Sequence, residues 1–409
     1  MDILPILSTL KRHKTAAGLI VLQIALTCAI VCNALFLISE RIDRIQAPTG
    51  MAESELVVLN VSGMTRSDDN EPQTRVDLER LRALPGVRAV TLANQVAYGG
   101  SSSNSGVRKE PGDRGPGSLG ASHYNAREGY IDTLGLRLVE GRDFRPEEYI
   151  NGAALDNDAN PRVPAIILNQ ALARQLFPGE SALGKSVYVF GEQPLPVVGV
   201  LAQLVPPHPG AQEFDSARAM LLPVRPSYRG GVYLLRCDPG QREAVLKAAG
   251  EALMQASQGV KRLVREQKTL EDMRSDYYRQ DRTMVWLLGG VCVGLLVVTA
   301  FGIVGLASFW VQQRTRMIGT RRALGATQGQ ILRYFQTENL LLSSAGIALG
   351  MAGAYGINQL LMLHYELPRL PLRYLPVGAV VLWGLGQLAV LAPARRAAAL
   401  PPVAALRGP

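Results

Sequence analysis

Residues 16–38 carry no charge, and this run constrains the fold more than any other stretch. The hydrocarbon layer of a bilayer needs roughly 20 apolar residues in one helix. Lipid offers backbone amides no partner, so a spanning segment of this kind must be helical. The run is longer than a signal-peptide core and no A-x-A site follows it, so it reads as a retained transmembrane helix. Gln23, Thr27 and Asn33 inside it are expected to hydrogen-bond neighbouring helices. Further apolar runs occupy residues 284–310, 340–363 and 375–391. The expected fold class is therefore a membrane protein, α-helical with four transmembrane helices, plus a large α+β extracytoplasmic domain. Its expected divisions are an amphipathic interfacial helix over 1–14, the first span over 15–39 and the outer domain with helical stalks over 40–282. The second span follows over 283–310, a basic segment over 311–333, the third span over 334–363, a short loop over 364–374, the fourth span over 375–392 and a tail over 393–409.

Charge orients this arrangement. The net charge of +9 sits in three short segments: Lys11, Arg12 and Lys14; Arg314, Arg316, Arg321, Arg322 and Arg333; and Arg395, Arg396 and Arg407. Loops rich in Lys and Arg stay in the cytoplasm, which puts both termini and residues 311–333 inside and the large domain outside. Arg369 and Arg373 in the short loop weigh against this. A nucleic-acid binder would spread its charge over a folded face; here it is kept for orientation or partner contact. Residues 312–326 read QQRTRMIGTRRALGA, with four arginines and no acid. Such a patch either faces lipid head groups or docks a cytoplasmic partner.

The outer domain alternates short apolar runs with helical stretches. Strands are expected over 55–61, 87–92, 165–168, 187–190, 195–201 and 232–236, and helices over 75–83, 170–177 and 242–256. The mixture implies layers built from βαβ-like units. Residues 99–120, rich in Ser, Gly, Asn and Pro, read as a loop, and 211–219 take no assignment. From Thr269 a helical pattern runs without proline into the second span, a continuous stalk. Gly290 and Gly294 in the second span, and Gly346 and Gly350 in the third, have the GxxxG spacing that permits close helix approach.

Several chemistries lack support. GESALGKS over residues 179–186 matches the phosphate-loop pattern, yet a helical stretch precedes it and a strand-like VYVF follows. The mechanism needs strand before and helix after. His13, His123, His208 and His364 are scattered without metal-ligand spacing. Cys28, Cys32 and Cys292 lie in apolar runs and leave only Cys237 in a polar region, so no disulfide framework is expected outside the membrane. Neither catalytic nor metal residues are assigned. The spans carry no charged residue in their middles, where ion-coupled transporters place their relays, so energy for transport has to come from a partner.

RTRMIGTRRALGATQGQILRYFQTENLLL, PARRAAALPPVAALR and the outer segments GYIDTLGLRLVEGRDF, ILNQALARQLFPGESALGKSV and PVVGV together resemble the permease subunits of MacB/FtsX-type ABC transporters, the type VII exporter fold. The resemblance covers almost the whole chain and implies a MacB-like periplasmic domain in the bacterial inner membrane. It implies a dimer, with a second copy or a sister permease, and a separate cytoplasmic ABC ATPase that binds ATP and Mg; no cofactor is expected in this chain. The coupling segment it implies comprises Arg314, Arg316, Met317, Ile318, Gly319, Arg321, Arg322, Ala323, Leu324, Gly325 and Ala326. The family signature commonly reads RTREIGIRRALGA, so Met317 stands where Glu is usual and Thr320 where Ile is usual. ATP-driven movement of the outer domain (mechanotransmission) would export a peptide, antibiotic or similar amphiphile with a periplasmic adaptor and an outer-membrane duct. Lipoprotein extraction, control of cell-wall hydrolases and ligand sensing are the alternatives.

Overall fold

The computed structural model describes residues 14–63, 70–111, 118–152, 155, 161–210, 217–229, 231–256, 262–365 and 369–399. The amphipathic helix expected over 1–14 lies outside these apart from Lys14, as do residues 400–409 of the tail. The chain forms two compact units, Gln46–Arg279 and the combination of Met1–Ile45 with Gln280–Pro409.

Helix α1 (Lys14–Gln46) is the first element among the described residues and runs past residue 39, where the first span was expected to end. In the outer unit, β1 (Leu56–Gly63), α2 (Glu71–Arg82) and β2 (Val87–Ala93) form one strand-helix-strand unit; β12 (Val232–Cys237), α5 (Arg242–Gln255) and β13 (Arg262–Thr269) form another. Their strands interleave in the order β13-β1-β12-β2, each pair antiparallel. Each βαβ unit is thus split by a strand of the other, a ferredoxin-like arrangement. The two-residue period of the strands explains which side is covered. Val57, Leu59, Val90, Leu92, Tyr233 and Leu235 share a core with Leu78 and Leu81 of α2 and Val245, Ala249 and Leu253 of α5. β13 was not anticipated; only its ends, Arg262 and Thr269, are buried, so its sequence shows no apolar alternation.

A second lobe is inserted between β2 and β12. It contains β3 (Asn104–Val107), β4 (Leu119–Asn125), α3 (Tyr130–Leu134), β5 (Leu138–Gly141), β6 (Ile150–Asn151), β7 (Ile166–Asn169), α4 (Gln170–Leu176), β8 (Ser186–Tyr188), β9 (Pro194–Leu201), β10 (Ala219–Leu222) and β11 (Val224–Arg225). The main sheet runs β3-β4-β10-β7-β9-β5, with β8 on β9 and a separate β6-β11 pair. Arg108 and Tyr188 exchange backbone hydrogen bonds of 3.0 and 2.9 Å, which brings the end of β3 to β8 and closes a barrel-like wall. Val107, Ala121, Ile166, Leu168, Val187 and Met220 fill its interior. The expected loop over 99–120 is therefore corrected: β3 and the start of β4 lie within it. Their Asn, Ser and Gly residues hide strand character that the pairing of β3 with β4 supplies. Likewise β10 begins at the end of the unassigned stretch 211–219, whose residues 211–216 lie outside the described residues.

GESALGKS forms a turn between α4 and β8. Gly179 and Gly184 take left-handed φ values of +78° and +76°, and Lys185 pairs with Glu180 and lies 4.5 Å from the centre of the Phe177 ring. Its amides cap no following helix, which removes the phosphate-binding geometry.

His123 on β4 is bonded to Ser105 Oγ at 3.0 Å through Nδ1. Burial pushes its pKa down to about 4, because the interior disfavours the imidazolium. The unfolded chain takes up this proton near pH 6.5. The stability due to the neutral ring is therefore complete above that pH and falls as pH drops toward 4, by a total of about 3 kcal/mol. Thermal unfolding of wild type and His123→Phe across pH 4 to 7 should show this slope only in the wild type; equal slopes would assign it to other groups.

Thr269 caps α6 (Leu270–Tyr277), its Oγ1 accepting from Asp272 N at 3.1 Å. The expected continuous stalk is interrupted at Tyr278, where φ is −88° and ψ 12°, before α7 (Arg279–Gln313) begins. Tyr278 is buried, with its ring against Tyr98 and Tyr277, and this side-chain burial accompanies the departure from helical geometry.

The membrane unit is completed by α8 (Thr315–Ala323), α9 (Gln328–Tyr365) and α10 (Tyr374–Ala398). α1 is its core. Gln23 donates to Val298 O on α7 at 3.2 Å, Thr27 and Thr299 hydroxyls meet at 2.8 Å, and Asn33 donates to Ala354 O on α9 at 3.2 Å. The three polar residues thus bond neighbouring helices, as expected. Arg41 pairs with Asp281 where α1 and α7 leave the apolar region. All four cysteines are free and buried. α10 includes Pro393 and continues to Ala398, so the segment expected as tail from residue 393 begins as helix.

Candidate functional site

The basic segment between the second and third spans folds into a short helix with sharply defined ends. α7 stops at Gln313, Arg314 departs from helical geometry with φ −106° and ψ 12°, and α8 follows. Ala326 N donates to Arg321 O at 3.0 Å and Gly325 N to Arg322 O at 3.1 Å, the paired bonds of a Schellman motif. That motif needs a left-handed residue, and Gly325 supplies it with φ +96°. Thr327 then starts α9 with reciprocal bonds: Gln330 N to Thr327 Oγ1 at 3.3 Å and Thr327 N to Gln330 Oε1 at 2.9 Å, a capping box. The letters LGATQGQ therefore encode one helix stop and one helix start, which turns the chain at a set angle.

One side of α8 is anchored. Ile318 and Gly319 are buried, and Ile318 joins Ile331 and Phe335 of α9 with Ala394, Ala397 and Ala398 of α10. The other side is open: Arg316, Arg321, Ala323 and Gly325 are exposed, and Leu324 is 83% exposed. Met317, Arg322 and Ala326 are half-buried. The Arg321 guanidinium lies 5.0 Å from the Tyr334 ring centre, and Arg322 Nη1 reaches Ala326 O at 3.4 Å. An exposed leucine capping an anchored helix that also exposes arginines is suited to contact with a protein surface of apolar and acidic character.

Arg314 departs from the patch. Its side chain is 7% exposed and donates from Nη1 to both oxygens of Glu338 on α9, at 3.0 and 2.8 Å. The segment contains no acid, but the fold brings one from the third span to its first arginine. Arg314 is therefore a structural cation in this arrangement, and the exposed charge belongs to Arg316 and Arg321. Glu338 and the alanines of α10 are site residues that the sequence reading missed. The lone acid inside the third span and the helical spacing of Ala394, Ala397 and Ala398 were their available signals.

The two GxxxG pairs have different surroundings. A Cβ on Gly346 would lie 2.8 Å from Ile24 Cβ and 2.9 Å from Val21 O, and one on Gly350 would lie 2.5 Å from Cys28 Cβ and 2.6 Å from Ala25 O. These glycines let α9 meet α1 backbone to backbone. A Cβ on Gly290 or Gly294 would meet no other helix within 4 Å. Among the described residues, no group of three or more His, Cys, Asp and Glu is placed to hold a metal ion.

Residues 20–262 match the profile of the MacB-like periplasmic core domain, and residues 289–402 that of the FtsX-like permease C-terminal region. The chain is 26% identical over 341 residues to the ABC transporter permease YknZ of Bacillus subtilis (strain 168), covering 82% of this chain and 79% of that protein. It is 31% identical over 267 residues to the macrolide export ATP-binding/permease protein MacB of Rhodospirillum rubrum, covering 61% of this chain and 39% of that protein. Among solved structures, the extracellular domain of the YknZ transporter from Gram-positive bacteria matches 51% of this chain and 100% of its own, at 19% identity and a TM-score of 0.32. With four helices long and apolar enough to span a membrane among the described residues, and an outer unit most of which the first of these profiles covers, the chain belongs to the MacB/FtsX family of ABC transporter permeases and is a multi-pass inner-membrane protein with a MacB-like periplasmic domain.

Proposed function

We propose that α8 is the docking element for a separate cytoplasmic ABC ATPase, and that ATP turnover in that partner moves the periplasmic domain. The observation that carries this reading is the combination of an exposed Arg316, Arg321 and Leu324 with a buried mount formed by Ile318 and the ends of α9 and α10. A helix held this way passes on force applied at its exposed side. ATP and Mg belong to the partner, and this chain contributes no catalytic residue. The chain works as a dimer with a second copy or a sister permease. Its cargo is a peptide, antibiotic or similar amphiphile taken up from the periplasm with an adaptor and an outer-membrane duct, a reading supported by relatives named for macrolide export. Met317 replaces the usual acid of the signature and removes one ion-pair partner from the docking face. Co-purification tests the reading: an ABC ATPase should come down with the wild type and be lost from the Arg321→Glu, Arg322→Glu variant. An ATPase retained at wild-type level by that variant would refute docking through α8.

A further inference from the structure

Several observations in the membrane unit describe how α8 is attached. Arg314, where α7 turns into α8, is pinned to Glu338 of α9, and the pair is 7% and 2% exposed. Opening it would leave a charge in a low-dielectric interior, which makes it a stiff tie. Ile318 is held by α9 and α10 as well. Further along α9, Gly346 and Gly350 seat it against backbone atoms of Val21 and Ala25 in α1, contacts that cannot yield by rotating a side chain. The connection from α7 to α1 runs through side chains instead: Gln23 donates to Val298 O, the Thr27 and Thr299 hydroxyls meet at 2.8 Å and Arg41 pairs with Asp281. At Gly302 the nearest atoms are the flexible end of Gln23, and Gly289, Gly290, Gly294 and Gly305 meet nothing within 4 Å. Over its apolar window α1 is 56% buried and α7 only 17%.

We propose that movement applied to α8 reaches α1 through α9, with Arg314 and Glu338 as the positioning pair that makes α8 and the base of α9 one rigid piece, and with α7 as a follower. This rests on the reading of α8 as the docking element and departs from a stalk driven equally by the first and second spans. Any such network must be shown by its coupling rather than by adjacency alone, so the test has separate arms.

In the full chain in lipid nanodiscs, a spin label on Leu324→Cys reports the mount without any ATPase. The native cysteines are buried, which leaves the new one as the accessible thiol. Glu338→Gln should raise the label's mobility, and the exchanged pair Arg314→Glu, Glu338→Arg should restore it. Unchanged mobility in folded Glu338→Gln overturns the rigid mount. Should Glu338→Gln not fold, Ile318→Ala tests the mount with the ion pair intact: it should raise the label's mobility, and unchanged mobility in the folded variant overturns the rigid mount. The permease-dependent ATP turnover of the complex with the co-purified ATPase reports the route. The route is tested by Gly346→Ala, expected to lower that turnover while the ATPase stays bound, against Gly290→Ala, expected to leave it unchanged. An equal loss from Gly290→Ala would put the route in α7. If no ATPase accompanies the wild type, the docking reading fails, while the label still decides the mount.

Discussion

Asp77→Ala is expected to destabilise the outer unit by about 3–5 kcal/mol. Asp77 and Arg262 both have fully buried side chains. The carboxylate accepts from Arg262 Nη1 and Nη2, from the Tyr233 hydroxyl at 2.6 Å and from Gln73 Nε2 at 2.9 Å. Arg262 also donates to Leu253 O at 2.6 Å and lies over the Tyr228 ring. The cluster therefore ties α2 to β12, α5 and β13, joining both halves of the split sheet. Removing the carboxylate leaves a guanidinium without its anion and a tyrosine without its acceptor, and each is costly in the interior. Burial and the adjacent Asp77 charge hold the Tyr233 hydroxyl pKa well above its ordinary value, so it remains a donor. Amide exchange across β1 and β12 in the full-length protein should speed up by about 100-fold or more, in line with such a loss. The apolar pair Asp77→Leu, Arg262→Met should come much closer to wild type, since isosteric replacement of a buried ion pair is often neutral. A cost below about 1 kcal/mol for Asp77→Ala would show that the network is not what joins the halves.

Gly350→Ala should weaken the membrane unit by about 1–3 kcal/mol, while Gly290→Ala should be neutral or stabilising by up to about 1 kcal/mol. The new methyl at position 350 would sit 2.6 Å from Ala25 O and 3.1 Å from Ala25 Cα, and backbone atoms can give way only if α9 moves off α1. At position 290 the same methyl meets open space and removes the conformational freedom of glycine. Denaturant midpoints of the two variants in detergent provide the comparison. Equal destabilisation would mean that Gly290 is covered in the assembled protein and that the α1–α9 contact has no special role.

Local signals were legible in proportion to how completely each element's own residues specify it. The apolar runs gave the spans their places. The strands with continuous apolar stretches, such as β1 and β12, were readable, whereas β3 and β13 were not, because their side chains are mostly polar or exposed and pairing with a neighbour is what makes them strands. The stalk pattern was helical on both sides of Tyr278, and only the burial of that ring accompanies the interruption. In the coupling segment, LGA and TQGQ encode a helix stop and a start through bonds within a few residues, so the turn itself was within reach of a sequence reading.

Hydropathy and charge, both properties of short stretches, determined that this chain crosses the membrane and that a large domain lies between its first two spans. The family signature determined what the basic segment resembles. Tertiary structure alone separated Arg314 from Arg316 and Arg321, and Gly346 and Gly350 from Gly290 and Gly294. The physical reason is the same in both cases. A buried charge or a missing Cβ acquires its role from the group that the fold brings against it, and Glu338 and Ala25 come from other helices.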